Sequence, residues 1–194
     1  ETGALAAGYI FGLAIANNAT DVTNDIDIAP GKCRSDDDSD NIVLSSGLTK
    51  RLDAAWAAGT GEGGRDSGPI ANGWWYVWVI KNPTTDAVDA LFSLSPTSPT
   101  LPSGFTKKRR IAAFHRADGA IREFVQVAGD PGLFLFKQPV VDLQATDQGT
   151  TAVNRTVTVP PNMVWVGRAE ALATVPPGQA MVVVVRDTLT NDIN

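Results

Sequence analysis

Short apolar runs with a period of two, each broken by Gly, Pro, Asn or Asp, dominate the chain. That pattern predicts strands with one face turned to a core. Tyr9, Phe11, Leu13 and Ile15 alternate in the apolar stretch ALAAGYIFGLAIA, and Ile26 and Ile28 alternate in DIDI. NIVL (41–44) is short and β-prone, and WWYVWVI (74–80) is aromatic and β-branched throughout. AVDALFSLS (87–95) follows it across KNPTTD, whose Asn-Pro start and polar tail mark a turn, so the two runs predict a hairpin. RIAAFHR (110–116) and AIREFVQV (120–127) flank Ala-Asp-Gly, a second hairpin signal. LFLFKQPVVDL (133–143), VNRTVTV (153–159), MVWVGRAEALATV (163–175) and AMVVVVRDTL (180–189) complete a set of about ten strands.

One segment breaks the pattern. LTKRLDAAWAAG (48–59) places Leu48, Leu52, Ala55 and Trp56 at i, i+4, i+7 and i+8, and Gly59 stands where a helix would be capped. This spacing predicts a short helix near 48–58. The expected class is mainly β: an antiparallel, jelly-roll-like β-sandwich with that single helix and no internal repeat. The proline-rich stretch SPTSPTLPSG (95–104) reads as an extended surface connection within one domain, 1–194, or as a subdivision of it.

The aromatic strand has apolar residues on both faces. Trp74, Tyr76 and Trp78 share one face, and Trp75, Val77 and Val79 share the other. Such a strand is covered on both sides by its own chain, by another subunit or by a ligand. The first face is expected to be buried core or a subunit contact, because three exposed rings would form an aggregation-prone patch. Its alternative is a platform for sugar rings.

Composition narrows the chemistry. The formal net charge of −5 argues against general nucleic-acid binding, which depends on neutralising phosphates. No run approaches the roughly 20 apolar residues of a membrane helix, and the apolar N-terminal stretch, with no basic segment before it, suits a strand better than a signal peptide. A single cysteine, Cys33, and a single histidine, His115, exclude an internal disulfide and any His- or Cys-rich metal site. Gly59, Gly61 and Gly64 spell G-x-G-x-x-G, but a dinucleotide loop needs a strand before it and a helix after it, and here the order is reversed. These glycines are expected to form a flexible exit into the aromatic strand.

The remaining candidates each have a bland reading. SDDDSDN (35–41) alternates Asp36, Asp38 and Asp40 as hard-cation ligands but lacks the glycine and distal glutamate of an EF-hand, and is expected to be a solvated loop. KKRR (107–110) suits an anionic partner or a strand edge kept soluble by charge. Cys33, between Lys32 and Arg34, could be activated by them but is expected to be inert in a turn. His115 could serve as a base, but a lone histidine reads as a packing or surface residue. Asn18 and Asn154 stand in glycosylation sequons. With no nucleophile elbow, no enzyme, cofactor or metal site is expected.

Three segments resemble stretches found in virion proteins of tailed bacteriophages and prophages, of the tail-fibre or minor structural type. They are ANNATDVTNDIDIAPG (16–31), LTKRLDAAWAAGTGEGG (48–64) and DALFSLSPTSPTLPSGFTKKRRIAAF (89–114). The resemblance covers the first two-thirds of the chain; the last third is similar only in its β pattern. It implies a non-enzymatic virion component, often oligomeric, at a host-facing or fibre-attaching position; together with the strands apolar on both faces, the expectation is a tail-fibre or spike component for assembly or host attachment, a homo-oligomer with a trimer favoured that contacts other virion proteins. Alternatives are a capsid decoration or head-fibre protein and a module that binds a host surface glycan.

Overall fold

The computed structural model describes residues 3–126, 134–138, 140 and 158–160. All of them lie in a compact unit, Glu1–Asn162; the second unit, Met163–Asn194, contains none of them. The proline-rich connection therefore falls inside the first unit. The runs at 153–157, 163–175 and 180–189, with Asn154, lie outside the described residues.

The described chain is mainly β. Thirteen strands are present among the described residues: β1 Ile10–Gly12, β2 Ile15–Asn17, β3 Asp25–Ile28, β4 Gly31–Arg34, β5 Asn41–Leu44, β6 Leu48–Ala55, β7 Glu62–Arg65, β8 Gly73–Lys81, β9 Val88–Ser93, β10 Lys107–Ala117, β11 Ala120–Ile121, β12 Phe124–Gln126 and β13 Phe134–Phe136. They form a three-stranded sheet β1-β4-β5, an eight-stranded sheet β11-β10-β8-β9-β7-β6-β3-β2 and a two-stranded sheet β12-β13. The large sheet is mixed, because β7 runs parallel to both neighbours. It curls until its two ends nearly meet. Ile121 N–H donates to Thr23 O at 2.9 Å, and Asn17 Oδ1 accepts from Phe124 N–H at 3.0 Å.

One core joins the sheets. Cys33, Ile42 and Leu44 from the small sheet cluster with Ile26, Ile28, Leu52, Trp75, Val77, Val79, Ala90, Phe92 and Phe114 from the large one. The first anticipated hairpin is present and the second in part: of the expected run 120–127, Ala120–Ile121 pairs with β10, while Phe124–Gln126 pairs with β13 in a separate sheet. β8 and β9 pair from Tyr76↔Ser93 to Lys81↔Val88. Asp118 and Gly119, at φ 54° and 82°, form the turn between β10 and β11, where the right-handed strand twist demands left-handed backbone.

Two expectations are corrected. Residues 48–55 form strand β6, not a helix, and no helix occurs among the described residues. Lys50 and Leu52 are buried between exposed Arg51 and Asp53, so the true period is two; a lysine at an inward position disguised it. Ladders on both sides, to β3 and β7, override the helical preference of Leu and Ala. The Tyr9–Ile15 alternation is also not one strand. Gly12 and Leu13 take φ 69° and 57°, and this break carries the chain from the small sheet (β1) to the large one (β2). Any side chain on Gly12 would collide with the Pro30 carbonyl.

Candidate functional site

The acidic loop and the basic run, separate candidates in the sequence, meet each other in space. β10 begins with Lys107, and Asp36 N–H donates to Lys108 O at 2.8 Å, which lays the loop 35–40 along the strand. Lys107 Nζ reaches Asp37 at 2.7 Å, Lys108 Nζ reaches Asp36 at 3.3 Å, and Arg109 lies 3.6 Å from Asp36. Lys81 holds Asp40 and Asp86, each at 3.0 Å. Arg34 donates to the carbonyl of Asp38, whose φ of 53° lets the loop turn. The hydrogen bond from Lys107, helped by the Ser35 and Ser39 hydroxyls, holds the Asp37 carboxyl far below the usual range. Lysine ammonium groups thus occupy the positions a cation would take, and carboxylates occupy those of an anion. Among the described residues no group of three or more His, Cys, Asp or Glu side chains could hold a metal ion.

The glycine loop has a structural task. β6 and β7 are parallel with Lys50 opposite Glu62, yet only residues 56–61 connect them. Parallel neighbours ordinarily need a crossover of about a dozen residues. Here the connection doubles back along β6: Trp56 N–H donates to Arg65 O, Ala57 N–H to Gly63 O, and Gly61 N–H to Thr49 O. Gly59 and Gly61 take φ 105° and 77°. Gly64 is needed for space, because a Cβ there would sit 2.8 Å from the Phe92 ring and 3.1 Å from Lys50 Cβ. The glycines lead into β7, which lies between β6 and β9, and not directly into the aromatic strand.

Lys50 pins this connection. Its side chain is 0% exposed and that of Asp89 is 5% exposed, with Nζ 3.2 Å from Asp89 Oδ1. Nζ also donates to Ala57 O at 2.6 Å and Gly59 O at 3.0 Å, and lies 5.5 Å from the Trp56 ring centre. Asp89 in turn accepts from Gly59 N–H at 2.8 Å and Ala90 N–H at 2.6 Å. Burial lowers the Lys50 pKa, against the opposing pull of Asp89. Sequence reasoning passed over this pair. Its signal was a charge at an alternating apolar position in each of two strands: Lys50 between Leu48 and Leu52, and Asp89 inside AVDALFSLS.

The aromatic strand is covered on both faces by its own chain. Trp75, Val77 and Val79 enter the main core. On the opposite face Tyr76 and Trp78 are buried and Trp74 is half-buried. Arg110 lies over the Tyr76 ring at 5.6 Å and Lys108 over Trp78 at 5.3 Å. The proline-rich connection contributes to this second layer: Pro96 O accepts from Arg110 at 2.5 Å, Pro99 is buried, and Phe105 meets Trp56 edge-on at 5.5 Å. Trp74 sits at the rim with His115 at 4.8 Å and Phe136 at 6.2 Å.

The other candidates are structural. Cys33 lies inside β4, not in a turn, and burial pushes its thiol up to about 12; this outweighs the basic neighbours that could have activated it. Asn18 donates to Asp27 Oδ1 at 2.9 Å and accepts from Thr20 and Asp21 N–H, so its amide is engaged. An open groove of about 490 Å³ lies beside it, lined by Ile15, Asn18, Asp27, Ile28, Leu48 and Thr49. Its polar lining is internally bonded, with Asp27 Oδ1 also accepting from Thr49 at 2.6 Å.

No protein-family model, curated protein or solved structure matches the chain.

Proposed function

We propose that this chain is a non-enzymatic structural protein of a bacteriophage virion, a jelly-roll-like sandwich that assembles as a homo-oligomer, with a trimer favoured, in a tail fibre or spike. The resemblance of three segments to such proteins supplies the class. The observation that carries the assembly reading is exposed apolar side chains on two solvent faces, one pair flanking Lys32 and one pair directly opposite each other. Across the small sheet, Phe11, Lys32 and Val43 are in register, with Phe11 65% and Val43 51% exposed. Across the two-stranded sheet, Val125 faces Leu135, at 48% and 51% exposure. Apolar residues aligned across strands on an outer face are suited to burial against a neighbouring subunit. The aromatic strand, covered within the chain, is not needed for that contact.

Other virion proteins are the expected partners. A host-glycan role would have to rest on residues other than Tyr76, Trp78 and the paired carboxylates of Asp36, Asp37 and Asp40, since the rings are covered and those charges are neutralised. Sedimentation equilibrium of the purified chain at micromolar concentration is expected to show a trimer that Phe11→Asp with Leu135→Asp dissociates. A wild-type monomer under those conditions overturns the reading. Immunogold label on the head of intact particles would replace the tail position by a capsid-decoration role.

A further inference from the structure

We propose that Lys50 and Asp89 are the precursors of an intramolecular amide that joins β6 to β9 covalently. This goes beyond the assembly reading and does not rest on it. The geometry supplies each part of the reaction. Nζ lies 3.2 Å from Asp89 Oδ1, in direct contact with the carboxyl group whose carbon it would attack, so the two reacting groups are held together before reaction. Two carbonyls, Ala57 O and Gly59 O, fix the nitrogen, which leaves its third N–H for Asp89. Both side chains are shut off from water, so an ammonium–carboxylate pair has lost the hydration that favours it over the neutral amine and acid. Gly59 N–H, 2.8 Å from Asp89 Oδ2, is aimed at the oxygen that becomes negative in a tetrahedral adduct.

The step balances without a co-reactant. A proton passes from Nζ to Oδ1 along their contact, giving an amine and a carboxylic acid. The amine's electron pair forms the Nζ–Cγ bond, and negative charge collects on Oδ2 beneath the Gly59 N–H. The Cγ–Oδ1 bond then breaks, and Oδ1 leaves as water with the proton it had received and one more from the nitrogen. The product is a neutral amide whose carbonyl oxygen keeps the Gly59 hydrogen bond and whose formation removes a buried ion pair. It also closes a covalent loop across β7, the short strand between β6 and β9.

Intact-mass spectrometry of the denatured full chain tests this. The wild type is expected to be lighter than its sequence mass by one water, and a digest should yield one peptide linking residue 50 to residue 89. Lys50→Met should keep its full sequence mass. Asp89→Asn should expel ammonia in place of water and reach the same final mass as the wild-type product. A wild-type chain that keeps its full mass after prolonged incubation at neutral pH, with native near-ultraviolet dichroism, overturns the proposal and leaves a simple ion pair. So does a lost water that maps to Asp118–Gly119, where a cyclic imide would give the same mass change.

Discussion

Replacing Trp78 by alanine tests whether the aromatic strand is core or receptor face. The ring is 2% exposed, faces Leu91 on β9 and carries the Lys108 ammonium 5.3 Å from its centre. Removing a buried Trp side chain costs about 3–5 kcal/mol, from lost transfer energy and the cavity left behind. For a chain of this size that lowers the melting temperature by about 6–20 °C. Two companion variants separate burial from chemistry. Trp78 Nε1 is buried with no hydrogen-bond partner among the described residues. Trp78→Phe removes that donor along with some volume, so its cost should stay below about 1.5 kcal/mol. Trp74→Ala, at the half-buried rim, should cost about 1.5–2.5 kcal/mol, half the value of a fully buried ring. Thermal melts followed by near-ultraviolet dichroism give the three values, and sedimentation gives assembly. A Trp78→Ala protein that melts and assembles like the wild type but no longer adheres to host cells would refute the reasoning.

Gly64→Ala should destabilise by about 1–3 kcal/mol, because its Cβ would press on the Phe92 ring; Gly61→Ala, with open space but φ 77°, should cost about 1 kcal/mol of backbone strain, and urea midpoints for the pair distinguish packing from conformation. Asp37→Asn should cost less than about 1 kcal/mol at neutral pH, since the carboxylate is half-exposed and screened. Because the folded state depresses the Asp37 pKa, its stabilisation is present above the unfolded value of 3.8 and is lost as pH falls through the folded one. The difference in melting temperature between wild type and variant should therefore close in acid; a gap that stays constant down to pH 2 would show that the Lys107 contact contributes nothing.

The fold was legible where a residue's own chemistry dictates its conformation. Asp118-Gly119 can adopt the left-handed backbone of a tight hairpin, and Asn82-Pro83 opens a turn by capping its own backbone: Asn82 Oδ1 accepts from Thr84 and Thr85 N–H. It was illegible where a partner far along the chain decides. β6 reads as helix until the carbonyls of Ala57 and Gly59 and the carboxylate of Asp89 are known to meet Lys50, because a lysine is an inward residue only if such acceptors await it. The same rule dissolved both ionic candidates. SDDDSDN and KKRR are about 70 residues apart in the chain, and each alone advertises a free charge of one sign. Laid side by side they neutralise one another and fasten the loop before β5 to the start of β10. Free charge is a property of a surface, and a sequence shows only where charges are placed along a line. The exposed apolar side chains differ in this respect. Phe11, Val43, Val125 and Leu135 sit in short apolar runs, and the pairing of their strands leaves them outward, Phe11 and Val43 on either side of Lys32 and Val125 opposite Leu135. Their strands already use their inward positions for Ile10, Cys33, Ile42 and Phe124, so these outward side chains are not covered within the described chain, and in the assembly proposed above a second subunit would supply the surface of matching chemistry.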